Sequence, residues 1–143
     1  MSERPCILLV EDNPWDARVT REALEAAPLR AIVHVVSDGR SALAFLRRTG
    51  GPLDPPLPDL VLLDLNLPGI DGRTVLAEVK NDPQINAIPV VVLTSSRAQS
   101  DVTRAHDLHA SAYLMKPTDP DDFGAVVAAV SEFWTARNLA GGT

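Results

Sequence analysis

Apolar residues in this chain gather into short unbroken runs, and each run stops at a polar residue. The runs are 6–10 (Cys-Ile-Leu-Leu-Val), 32–36 (Ile-Val-His-Val-Val), 60–63 (Leu-Val-Leu-Leu), 90–93 (Val-Val-Val-Leu) and 112–115 (Ala-Tyr-Leu-Met). Unbroken rather than alternating apolar positions predict strands covered on both faces. The stretches between them carry helical spacing, and this alternation predicts an α/β fold on a parallel sheet.

Five helices are expected. Pro14 suits a first helical position after Asp12 or Asn13, and that helix should reach about Ala27, with Trp15, Val19, Ala23 and Ala26 as its apolar stripe. A second begins at the cap Ser37-Asp38 and turns Ala42, Leu43 and Leu46 inward. A third spans about Asp71 to Asn81, with Val75, Leu76 and Val79 inward, and stops at Asp82-Pro83. A fourth, near Ala98 to Leu108, has only Val102, Ala105 and Leu108 as anchors, which predicts a loosely held element. The last follows Asp119-Pro120 and presents Phe123, Val126, Val127, Val130 and Phe133 or Trp134. Prolines 52, 55, 56 and 58 mark a stiff surface connection rather than a domain linker.

The polar residues that close the runs change the picture. In an open parallel sheet, ligands bind outside the carboxyl ends of the strands. Glu11 and Asp12 follow the first run, Asp64 the third, Thr94 the fourth, and Lys116-Pro117 the fifth. The fold would therefore bring three acids, a hydroxyl and an ammonium to one crevice. Clustered carboxylates repel, and an all-oxygen cluster of this kind suits magnesium or calcium. Pro68 and Gly69 make a tight turn that could carry the Asn66 carbonyl toward the same cation. A lysine ending a buried strand needs a counter-charge, and Asp64 is its natural partner. A carboxylate beside a divalent cation and an ammonium is equipped to attack a phosphoryl group.

Composition narrows the class. The 143 residues make one ordinary domain, 45% apolar, with a net charge of −6 that argues against a nucleic-acid face. No apolar stretch approaches the roughly 18 residues of a membrane span. The N-terminus lacks a signal-peptide pattern, and the single cysteine, Cys6, excludes an internal disulfide. A cytoplasmic location is expected. His106 and His109 are read as solvent-exposed, His34 as a packing residue, and Trp15 as either core or a residue lining the crevice. A P-loop is absent. Glu11-Asp12 would repel a flavin phosphate, and Asn66 stands where an Asp-x-Asp phosphatase would have its second aspartate.

Four separated motifs carry a family resemblance over about residues 6–134. They are Ile7-Leu8-Leu9-Val10-Glu11-Asp12-Asn13, the segment Leu62 to Gly72 around Asp64, Val91-Val92-Leu93-Thr94-Ser95, and Tyr113-Leu114-Met115-Lys116-Pro117. In these the chain resembles the receiver domain of bacterial two-component response regulators. The resemblance implies a flavodoxin-like (βα)5 doubly wound sandwich with strand order 2-1-3-4-5. It also implies a single receiver domain over 1–143 (core about 5–138) without an output domain. Asp64 would accept a phosphoryl group from a histidine kinase. Magnesium would be bound by Asp12, Asp64 and the Asn66 carbonyl, with Glu11 acting through water. Lys116 would pair with the phosphoryl oxygens, Thr94 would move to bond them, Tyr113 would swing inward, and small Ser95 would leave access open. Lys116-Pro117 would be a cis peptide.

Softer features resemble the stand-alone regulators paired with bacterial and cyanobacterial phytochromes. They include the proline-bearing loop and the closing Phe133-Trp134. The resemblance implies a phosphoacceptor switch rather than a turnover enzyme, with a sensor kinase of the bacteriophytochrome type and a downstream protein as partners. Phe133-Trp134 would bury against a second copy in a homodimer or close this chain's own core. A pseudo-receiver that binds without phosphorylation is the competing reading, although none of the key residues is missing.

Overall fold

The computed structural model describes residues 4–26, 29–48, 57–94, 110–116 and 123–141. Five parallel strands lie in the order β2-β1-β3-β4-β5. They are β1 (Cys6–Val10), β2 (Ile32–Val36), β3 (Leu60–Leu63), β4 (Val90–Thr94) and β5 (Ala112–Met115). Four helices lie among the described residues: α1 (Pro14–Glu25), α2 (Gly39–Arg47), α3 (Gly72–Asn81) and α4 (Gly124–Gly141). The sheet order matches the expectation. The expected helix at 98–108, His106 and His109, the Asp119-Pro120 start, Ser95, Pro117 with its peptide bond, and prolines 52, 55 and 56 lie outside the described residues.

Alternation of side chains along each strand splits the core into two layers. Leu8, Val10, Val61, Leu63, Val90 and Val92 face Ala42, Leu46, Val75, Leu76 and Val79 of α2 and α3. Ile7, Leu9, Leu60, Leu62, Val91 and Leu93 face Ala17 and Leu24 of α1 and Val126 and Val130 of α4, with Phe123 just before it. β1 and β3 are buried along their whole length, whereas the edge strands β2 and β5 are partly exposed. His34 sits on edge strand β2, its ring 5.3 Å from that of Phe45.

Capping fixes where the helices begin. Asn13, Asp38 and Asp71 each accept a backbone N–H three residues on, from Asp16, Ser41 and Thr74. The expected stripe of α1 needs correction. Ala17, Thr20 and Leu24 are its buried residues, while Trp15 is 62% exposed and Ala26, the C-cap, is exposed. At 3.6 residues per turn Trp15 stands nearly opposite the 17/20/24 line. Val19 and Ala23 pack at its flank. Phe133 and Trp134 pack against the chain's own core, around a small cavity that Pro5, Ile7, Leu60 and Pro89 also line. Both rings are half-buried there, so the pair packs within its own chain.

Candidate functional site

The strand ladders deliver the site residues to one end of the sheet. Val10 pairs with Leu63, so Glu11 and Asp64 emerge side by side. Two further backbone bonds extend the ladder past the strands: Asp64 N–H to Val10 O at 3.0 Å and Glu11 N–H to Val36 O at 3.0 Å. On the other side Thr94 pairs with Met115, so Lys116 leaves the edge strand at the same level.

Glu11 and Asp64 are 3% and 5% exposed, deep for carboxyl groups. Asp12, one residue on, is exposed. An oxygen from each of these three acids lies within 4.8 Å of the other two. The Lys116 ammonium reaches into the cluster. It lies 2.6 Å from Glu11 Oε1, 2.9 Å from Asp64 Oδ2 and 3.1 Å from Asp16 Oδ2. An ammonium has three N–H donors, and here three carboxylates surround it.

Electrostatics follow from burial and pairing. Burial pushes the Glu11 carboxyl up to about 7, with help from the neighbouring Asp64 charge, although Lys116 and the Asn13 N–H pull the other way. Burial alone would lower the Lys116 ammonium, but its bonds to Glu11 and Asp64 outweigh that and raise it above the ordinary lysine value. Three carboxyl groups around the ammonium, with Asp12 beside two of them, outnumber the one positive charge. The donor set is all oxygen, its members converge, and the charge deficit is positive, so the residues fit a hard divalent cation.

Local turns hold the acids in place. The Asn66 N–H bonds Asp64 Oδ1 at 2.9 Å, and the Asn13 N–H bonds Glu11 Oε2 at 3.1 Å, each an acid bonding the backbone two residues on. Gly69 adopts a positive φ of 69° in the turn that follows. Thr94 closes β4 beside Met115. Tyr113 is half-buried against the α2/α3 layer, and burial raises its phenol.

Two residues take roles that the sequence does not assign, Asp16 and Gly72, the latter known only as the end of the Asp64 motif. Asp16 sits in the first turn of α1, where an acidic residue has an ordinary explanation in the helix dipole. Its spacing from Asp12, one helical turn, was the available signal. Gly72 opens α3 directly against the strand end. A Cβ there would fall 2.5 Å from Leu65 Cα and collide with the Asp64 carbonyl. The Gly72 N–H bonds Leu65 O at 3.0 Å, so this contact sets the backbone that carries Asp64.

The chain is similar to known proteins in sequence and fold. The family model described as "Response regulator receiver domain" matches residues 7–128. The response regulator Rcp1 of Synechocystis sp. is 43% identical over 128 residues, covering 90% of this chain and 87% of that one. The phosphorylated cyanobacterial phytochrome response regulator RcpA superposes with a TM-score of 0.83 at 42% identity, covering 94% of this chain and 96% of RcpA. The Mn2+-bound form of Rcp1 does so with a TM-score of 0.79 at 42% identity, covering 91% and 94%. Among the described residues no helix is long and apolar enough to cross a membrane.

Proposed function

The chain belongs to the response regulator receiver family, and from that premise we propose that it is a phosphorylation-driven switch with Asp64 as acceptor. The observation that carries this reading is the meeting of Asp64 with Lys116 at 2.9 Å beside Glu11 and Asp12. One carboxylate oxygen of Asp64 forms the new bond to phosphorus as the bond to the donor's imidazole nitrogen breaks. Lys116 then donates to an oxygen of the transferred group, with the Thr94 hydroxyl as a second donor and Tyr113 moving inward behind it. Asp12, Asp64 and the Asn66 carbonyl would hold magnesium, with Glu11 bonding it through water. The ion supplies charge neutralisation for the phosphoryl oxygens.

The donor in this reading is a sensor histidine kinase of the phytochrome type. RcpA, described as a cyanobacterial phytochrome response regulator, supports that choice. The output is a changed surface read by a downstream protein rather than turnover of a substrate. The test is labelling by acetyl phosphate with magnesium. Labelling of the wild type and its loss in Asp64→Asn are expected. Undiminished labelling of the variant would place the acceptor elsewhere, and an unlabelled wild type would favour a binding-only module.

A further inference from the structure

We propose that Asp16 is a latch on Lys116: a positioning residue that, before phosphorylation, occupies an ammonium donor that the incoming phosphoryl group needs. The proposal rests on the receiver reading above and adds a restraint that the acceptor and metal residues do not provide. Lys116 has three donors and three carboxylate neighbours, at 2.6, 2.9 and 3.1 Å. A phosphoryl oxygen can take a donor only if one of these partners lets go.

Exposure decides which one. The side chains of Glu11 and Asp64 are 2% and 6% exposed, so at either one water cannot readily take the place of the ammonium. The Asp16 side chain is 30% exposed, and water can replace the ammonium there at little cost. Its contact is also the longest of the three. Asp16 is therefore the partner that yields, and while it stays engaged it holds Lys116 in its resting position.

The position of Asp16 fits this role. Its backbone N–H is fixed by the Asn13 cap at 3.1 Å, so the side chain projects from a rigid first turn of α1. The contact links α1 to the end of β5, 100 positions away in the chain. A helix-dipole role alone would not require this reach across the crevice.

The test is the affinity for beryllofluoride, a tetrahedral mimic of the phosphoryl group, at saturating magnesium. Asp16→Ala should bind it about three- to tenfold more tightly than wild type, the scale of one released hydrogen bond. Asp16→Asn keeps the shape and a weaker acceptor, and should show a smaller gain. Structural damage would lower affinity, so a gain reports the latch. Unchanged or weaker binding in both variants overturns the proposal. In a Lys116→Ala background the Asp16 substitution should have no effect, and a persisting gain would overturn the latch in favour of a general charge effect. A wild type that binds no beryllofluoride would instead overturn the receiver reading beneath it.

Discussion

Lys116 Nζ lies 2.9 Å from Asp64 Oδ2, an ion pair that joins the end of edge strand β5 to the end of central strand β3. The same nitrogen lies 2.6 Å from Glu11 Oε1 at the end of β1. One ammonium thus ties three strand ends together and compensates two buried acids.

Removing that ammonium strands the acids. Lys116→Ala should cost about 3 kcal/mol or more at pH 8, the usual penalty for breaking a buried pair. The cost should shrink at pH 5, where Glu11 takes up a proton, and magnesium should recover part of it. Urea unfolding at the two pH values checks this. Equal stability of variant and wild type at pH 8 would mean the pairing contributes nothing.

Glu11 makes the metal-free protein sensitive to pH. Its carboxyl is held at about 7 in the folded chain against an ordinary 4.5, so the folded state binds more protons across that window. Stability therefore falls as pH rises from about 4.5 to about 7, by on the order of 3 kcal/mol from this group. Lys116 stays protonated in both states throughout and adds no slope. Glu11→Gln should flatten this part of the profile in EDTA, and magnesium should flatten it in wild type. Identical slopes in wild type and variant would remove Glu11 as the source.

Gly72→Ala should displace the backbone under Asp64. The added methyl meets main-chain atoms that have no freedom to move aside. A loss of about 1–3 kcal/mol is expected, with weaker magnesium binding as the acid shifts. Calorimetry with and without the metal checks both effects, and a fully stable variant with wild-type affinity would show that α3 can slide away.

Trp134→Ala should destabilise the single chain. The ring packs on the α1/α4 side of the core beside Ile7 and Leu60. A loss of about 2 kcal/mol, independent of protein concentration, is expected for a partly buried aromatic. A loss that appears only at high concentration would assign the ring to contact between copies.

Much of this was legible in the residues. Unbroken runs such as Leu60–Leu63 declare buried strands, and a lysine closing such a run, as Lys116 does, demands an anion. Asp38 announces its helix by cap chemistry. Trp15 departs from the expected stripe because Ala17, Thr20 and Leu24 set the phase of α1 and turn position 15 outward. Asp16 and Gly72 were hidden for a different reason. Each matters through a contact made by folding, and a helix-starting acid or glycine is locally unremarkable.

Burial along the sheet divides the molecule into an anchor and a lever. The acids hang from β1 and β3, which are enclosed on both faces and flanked by strands on both edges. The lysine hangs from β5, which has one neighbouring strand and partly exposed side chains. Rearrangement that begins at the ammonium can spread into the rim of the sheet without loosening its centre. Substitutions along that rim can therefore reshape the edge of the sheet while its acidic pocket stays intact.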